Sequence, residues 1–278
     1  LQNSPFILFD ERYVANPLVY CGTAGLMPKE LSQMGKQKPG DLVVLAGGRT
    51  GRDGIHGVTF ASEQLSKEST EASYSSVQIG NPIVEKKLID NLIQARDRRL
   101  FCRITDCGGG GLSSAVGEMA AETGVCVYLD RVPLKYAGLS YSEIWISESQ
   151  ERMVLAVPPD CADELLTLFA DEGTEATIIG EFTNDKRLKL FYQDNLVCNL
   201  DMEFLHQGRP QLELNATWQQ TKHSEPDFTQ PDLTEALLRV LGSWNICSKE
   251  WVIRQYDHEV QGGSVLKPLV GRENDGPG

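Results

Sequence analysis

The chain carries no excess of positive charge: 26 Lys and Arg stand against 39 Asp and Glu in 278 residues, a formal net charge of −13. A nucleic-acid backbone or an anionic membrane needs a net positive face, so neither is expected as the main partner. Small phosphorylated ligands are not excluded, because backbone amides, a metal ion and single Arg or Lys residues can hold them. No apolar run approaches the roughly 20 residues that cross a bilayer, and no basic, apolar leader is read at the start. The seven cysteines (Cys21, Cys102, Cys107, Cys126, Cys161, Cys198, Cys247) contain no C-x-x-C pair, which removes a zinc ribbon and a thioredoxin-like site. Several sit in apolar runs, so buried, reduced thiols of a cytoplasmic protein are expected. The four histidines (His56, His206, His223, His258) show neither metal-ligand spacing nor a nearby nucleophile. The H-E-x-x-H and G-x-S-x-G patterns are missing, as are the Walker Gly-Lys-Ser/Thr and any repeat of solenoid period.

What is there reads as a globular protein, with 41% hydrophobic and 23% charged residues. The length suits one large domain or two ordinary ones. The chain opens with Leu1 inside an apolar phrase and stops on the turn residues Asp275-Gly276-Pro277-Gly278, so both ends are expected to lie inside a longer protein. Short β-rich runs alternate with helical patterns. Strands are predicted at residues 41–46, 100–105, 125–129, 152–157, 176–182 and 187–192, and helices at 82–96, 112–122 and 160–171. Asn184-Asp185 is expected to form a tight hairpin between the last two strands. The pattern implies an α+β (α/β layered) fold, a mixed β-sheet with packed helices. Residues 207–231, polar and proline-bearing, read as a linker. Asp232 or Thr234 can then cap a helix through Leu241, and residues 248–270 resemble a second helix followed by a strand.

Four phrases could carry chemistry, and each has a plain structural alternative. Gly47-Gly48-Arg49-Thr50-Gly51-Arg52-Asp53-Gly54-Ile55-His56-Gly57 follows a predicted strand, so the amides around Gly48, Gly51, Gly54 and Gly57 could surround a phosphate, or the segment could be a structural loop. Asp106 ends a strand and is followed by Cys107-Gly108-Gly109-Gly110-Gly111, which opens a helix. A carboxylate there suits Mg²⁺ held against phosphate oxygens, or simply a cap or turn. Glu148-Ser149-Gln150-Glu151-Arg152 could equally be a solvated corner, and Gln78 a residue of no special role.

Taken in order, the phrases resemble the formylglycinamide ribonucleotide amidotransferase (phosphoribosylformylglycinamidine synthase) family, in its version with the shorter synthase chain. The resemblance runs through Asn16-Pro17-Leu18-Val19, Gly25-Leu26-Met27-Pro28, the Gly47 to Phe60 segment and Gln78-Ile79-Gly80-Asn81-Pro82. It continues in Thr105-Asp106 with its glycine run, Glu148 to Met153, and Arg254-Gln255-Tyr256-Asp257-His258-Glu259-Val260-Gln261-Gly262. That family belongs with aminoimidazole ribonucleotide synthetase and selenophosphate synthetase, and the resemblance implies a fold like the C-terminal domain of the former. It further implies residues 1–37 as the end of a first N-terminal (ATP-binding) domain, 38–205 as the first C-terminal domain, and 206–278 as a linker and the start of a second half.

The activity implied is that of an ATP-dependent amidoligase. It converts formylglycinamide ribonucleotide, ATP and glutamine to the amidine with ADP, phosphate and glutamate. The rival is a non-catalytic, structural or nucleotide-binding half of such a synthase. By resemblance Gln78, Glu148, Ser149 and Gln150 bind substrate and Asp106 binds Mg²⁺, with ATP and Mg²⁺ as cofactors. The family's catalytic histidines have no match in this chain, so this piece alone is expected to be inactive. A glutaminase, as subunit or fused domain, is the implied partner, with a small bridging subunit as a further one, and faces bared by missing domains leave room for a homodimer. Asn81 stands where the family commonly has Asp, and Cys107-Gly108-Gly109 replaces more usual Leu or Met and Ala; neither departure touches a carried-over ligand.

Overall fold

The computed structural model of the protein describes residues 8–11, 26, 28–29, 35–55, 78–220, 222–225, 232–255, 257–259, 262–265, 267 and 269–273. The chain divides into two compact units, Lys29–Glu213 and Leu1–Pro28 with Leu214–Gly278.

The first unit is organised by β1 (Leu42–Gly47), whose run Leu-Val-Val-Leu-Ala has no polar residue to show to water. Val43 and Leu45 enter one apolar core and Val44 and Ala46 another, all at most 3% exposed. A strand covered on both faces reads as such a continuous run. Its neighbours are β4 (Arg152–Val157) and β5 (Ala176–Phe182), both antiparallel to it. In β4 the alternation repeats, Val154 and Ala156 facing one core and Leu155 and Val157 the other. Six pairs from Leu42↔Val157 to Gly47↔Arg152 hold the β1–β4 register without a slip, since a one-residue shift would reverse every side chain.

The seven strands run in the order β2-β4-β1-β5-β3-β6-β7, with β2 at Arg103–Asp106, β3 at Val125–Tyr128, β6 at Arg187–Tyr192 and β7 at Asn195–Asp201. One face carries α1 (Pro82–Asp97) and α4 (Ala162–Asp171), the other α2 (Leu112–Met119), α3 (Tyr141–Ile146) and α5 (Met202–Gln207). The expected mixed sheet with packed helices is thus the observed one. In α1 the Asn81 side chain accepts the Ile83 amide at 3.1 Å and Pro82 needs no donor at the first position. Leu88, Asn91 and Ala95 then form the buried stripe. On α4, Phe169 is fully buried, which contributes about 1.5–3 kcal/mol relative to leaving it in water.

The tight hairpin expected at Asn184-Asp185 is not there. β3 lies between β5 and β6, antiparallel to the first and parallel to the second. The 183–186 turn instead straddles the start of β3: the Thr183 amide donates to Gly124 O at 3.0 Å and the Lys186 amide to Thr123 O at 2.8 Å. The tight hairpin joins β6 and β7, where Gln193 and Asp194 have φ of 49° and 63°. Two positive central φ values match the twist of the flanking strands.

In the second unit, α6 (Thr234–Leu241) starts where the Asp232 carboxylate accepts the Thr234 amide at 2.9 Å and its hydroxyl at 2.7 Å. Phe9 and Trp244 rings meet at 5.5 Å, and a short α7 (Glu250–Ile253) follows. Among the described residues no strand follows α7. The described residues between 208 and 225 hold neither helix nor strand. Six cysteines in the described residues are free, Cys107 and Cys126 buried and the others half-buried. Among the described residues no helix is long and apolar enough to cross a membrane.

Candidate functional site

The turn between α3 and β4 is held from beneath by Arg152, which is 3% exposed. Its guanidinium donates from Nε to Ser149 O at 2.7 Å, from Nη2 to Ser147 O at 2.5 Å, and from Nη1 to Thr50 Oγ1 at 2.9 Å. Burial lowers its pKa from the ordinary value. Ser147 lies against the glycine run after β2, because Gly111 has φ +58° and a Cβ there would stand 1.8 Å from Ser147 O. Only glycine permits both the backbone and the approach.

Glu148, 4% exposed, spends both carboxylate oxygens inside the protein. Oε2 accepts from Gln78 Nε2 at 2.5 Å and Oε1 accepts the Gly110 amide at 2.9 Å. Gln78 Oε1 in turn accepts from Gln150 Nε2 at 2.8 Å, which also donates to Glu148 O at 2.9 Å. Gly54, at φ +65°, makes room for this: a Cβ would lie 2.5 Å from Gln78 Nε2 and 2.6 Å from Glu148 Cβ. Ser149 is fully buried. Its hydroxyl accepts the Gly51 amide at 2.8 Å and donates to Asp53 Oδ2, which also accepts from Lys135 Nζ at 2.8 Å. Burial pushes the Asp53 pKa up, but the hydrogen bonds from Lys135 and Ser149 outweigh it and hold the carboxyl below its ordinary value.

In the described part of the glycine-rich segment, several amides are taken by other parts of the chain. The Gly48 amide donates to Glu151 O at 2.8 Å, Thr50 to Pro133 O at 2.9 Å, Gly51 to Ser149 Oγ at 2.8 Å and Arg52 to the Tyr136 hydroxyl at 2.9 Å. The Gly48 and Gly51 amides are thus bonded to the protein's own loops, and Gly54 makes room for Gln78 and Glu148. Gly57 and His56 lie outside the described residues.

Asp106 is exposed at the end of β2, and its Oδ1 accepts the Gly108 amide at 2.8 Å. It faces a polar cavity of about 200 Å³ lined also by Thr105, Gly108, Gly109, Ser114 and Glu118. A larger groove of about 900 Å³ shares Gly109 and Ser114, takes in Glu148, and continues over Trp145, Leu188 and Leu200. No group of three His, Cys, Asp or Glu among the described residues is placed to hold a metal by itself. Gln78, Glu148, Ser149 and Gln150 are thus brought together. Asp106 is tied to them through the glycine run, where it caps Gly108 and Glu148 caps Gly110, and through its pairing with Met153 at the start of β4.

Sequence reasoning missed Asp53, Lys135 and Arg152. Asp53 and Arg152 stood inside quoted motifs, but their roles depend on which chain segment each meets across the fold. Lys135 had no local signal.

A helix-sheet-helix layering with a mixed sheet, whose glycine run meets the buried Glu148 at one end, defines a C-terminal domain of the AIR-synthase type. The chain belongs to the family of AIR synthase related proteins, C-terminal domain, whose model matches residues 38–193. It is 41% identical over 268 residues to the phosphoribosylformylglycinamidine synthase subunit PurL of Methanopyrus kandleri, covering 94% of this chain and 36% of that protein. Among solved structures it is similar to T. maritima PurL complexed with FGAR (32% identity, 71% of this chain and 32% of that one, TM-score 0.60). The same is true of T. maritima PurL complexed with ATP (26%, 76% and 33%, TM-score 0.58) and of PurLQS from Thermotoga maritima (26%, 85% and 36%, TM-score 0.61). The chain spans about a third of the length of the curated relatives it matches.

Proposed function

We propose that this chain supplies a substrate-binding and metal-facing part of a phosphoribosylformylglycinamidine synthase, which converts formylglycinamide ribonucleotide to the amidine with ATP and the amide nitrogen of glutamine. The observation that carries this reading is the continuous network from Gln150 through Gln78 and Glu148 to the Gly110 amide, on the glycine run that Asp106 opens. In this reading residues 1–37 end a first N-terminal domain, 38–205 are the first C-terminal domain, and 206–278 lead into a second half. Gln78 and Gln150 orient the substrate through their side-chain amides, Glu148 holds Gln78 in place, and Ser149 fixes the turn that presents Gln150.

Asp106 fits a cation site of modest denticity. Mg²⁺ keeps several waters and takes one or two carboxylates beside substrate phosphates, and Asp106 offers one carboxylate at the mouth of a polar cavity. When bound, the ion would neutralise charge that develops on a transferring phosphoryl group. ATP as the phosphoryl donor follows the relative solved with it. Ammonia would come from a glutaminase partner, in line with the PurLQS assembly of the Thermotoga protein, and a second copy of the chain is a further candidate for its exposed apolar surface. In this reading the reaction runs in the cytoplasm.

The test is Asp106→Asn in the full-length synthase that contains this chain. Loss of a charge partner in phosphoryl transfer lowers turnover by about 10²-fold or more, with the fold intact by circular dichroism. A non-catalytic half would keep its turnover, and that result ends the proposal.

A further inference from the structure

Asp53 lies outside the residues through which substrate would be held, yet it grips the turn that carries Glu148 and Ser149. Its Oδ2 accepts from Ser149 Oγ and from Lys135 Nζ, while its backbone carbonyl accepts the Glu148 amide at 2.8 Å and lies 3.5 Å from Ser147 Oγ. One residue of the glycine-rich segment thus grips the 147–149 turn by side chain and main chain together. Lys135 is itself fixed, since its amide donates to Thr50 O at 2.9 Å beside the parallel bridge Thr50↔Leu134.

The Ser149 hydroxyl has a single hydrogen, and it is committed to Asp53. Its lone pairs meet the Gly51 amide, and Ser147 Oγ stands 3.1 Å away. With Ser149 fully buried, its hydrogen and a lone pair are both engaged inside the protein. The hydroxyl acts as a bolt, and the position of the bolt is set by Asp53.

We infer that Asp53 is a positioning residue: through Ser149 and the Glu148 amide it fixes the turn from which Glu148 holds Gln78 and Gln150 is presented. The identity of the ligand rests on the function proposed above; the locking of the turn does not. Because one oxygen of Asp53 accepts both donors, an asparagine oxygen can stand in its place and keep both bonds, whereas alanine offers no acceptor. A group acting on the ligand through its charge would be lost equally in both variants.

The experiment compares Asp53→Ala, Asp53→Asn and Ser149→Ala in the full-length synthase, by amide hydrogen exchange at residues 147–151 and by steady-state kinetics with formylglycinamide ribonucleotide. Asp53→Ala and Ser149→Ala should speed exchange in that turn while the amides of α1 and α4 keep their rates. They should raise KM about tenfold with kcat changed less than about threefold, the signature of lost ground-state positioning. Asp53→Asn should restore KM to within about threefold of the parent. Parent-like exchange in Asp53→Ala, or an Asn variant as impaired as the Ala variant, overturns the inference. If the parent shows no response to this substrate, the proposed function fails, and the exchange order of the three variants still decides the role of Asp53. Should Asp53→Ala not fold, the Asn and Ser149→Ala pair carries the same comparison.

Discussion

Glu148 holds the side-chain amide of Gln78 at 2.5 Å with one carboxylate oxygen and the amide of Gly110 at 2.9 Å with the other. Both partners are donors, and one carboxyl group with an acceptor oxygen on each side meets them together. This shared side chain joins the glutamine pair to the glycine run after Asp106.

Glu148→Gln should break that join. The new side-chain amide brings one donor to a place where two donors already converge. Turning Gln78 to present its oxygen would then set its amide against Gln150 Nε2. One part-buried partner is left unmet, at a cost of about 0.5–1.5 kcal/mol. Urea unfolding should show that loss, and the affinity of the synthase for formylglycinamide ribonucleotide should fall with it. A variant with parent stability and affinity would show that the bridge does not matter.

Acid sensitivity follows from two carboxyls with lowered pKa. Asp53 lies below its ordinary value through Lys135 and Ser149, against the effect of burial. Glu143 is lowered to about 2, first by the hydrogen bond from Arg52 and then by the Ser140 amide at the start of α3. A carboxyl whose folded pKa is depressed stabilises the protein above its unfolded value and loses that contribution as pH falls through the folded one. The deficit of Glu143→Gln relative to the parent should therefore be constant from pH 7 to about 5 and shrink as pH drops from about 4.5 toward about 2. Denaturant unfolding at each pH measures it. A deficit that grows on acidification would contradict the assignment.

β1 and β4 were legible because burial on two faces writes itself as a nearly continuous apolar run, and β6 because Leu188 and Leu190 alternate with Arg187 and Lys189. β4, β5 and β6 match their predicted spans, and β1 is displaced by one residue. β7 went unread: at the sheet edge, Asn195, Asn199 and Asp201 break up its apolar residues. α3 is only six residues long, although its Ser140–Glu143 capping box was a readable start signal. The hairpin was misplaced because local turn chemistry at Asn184-Asp185 cannot reveal that β3, from far earlier in the chain, inserts between the two strands. At the candidate site, Gln78, Glu148 and Gln150 were singled out by resemblance, since no spacing rule joins residues some 70 positions apart. Their supports needed coordinates: the partners of Asp53 and Arg152 lie on loops that only the folded sheet brings together.

Arg152→Lys tests whether the turn is held by charge or by shape. Lysine keeps the positive charge, but its ammonium is a compact point at the end of a flexible stem and cannot reach three acceptors spread across a planar fork. Ser147 O, Ser149 O and Thr50 Oγ1 now receive Nη2, Nε and Nη1 separately. At least one of these buried acceptors would lose its donor, and the more strongly hydrated ammonium would be desolvated in a site where the present side chain is 3% exposed. The expected loss is about 2–4 kcal/mol in urea unfolding, from unpaired buried groups and poorer charge burial. Arg152→Met should cost at least as much, because it leaves Ser147 O, Ser149 O and Thr50 Oγ1 without their donor and the Asp53 carboxylate without the buried positive charge that faces it. If the Lys variant instead lies within about 0.5 kcal/mol of the parent, in the range of ordinary surface substitutions, then charge alone suffices and the fork geometry is not what fixes the 147–149 turn.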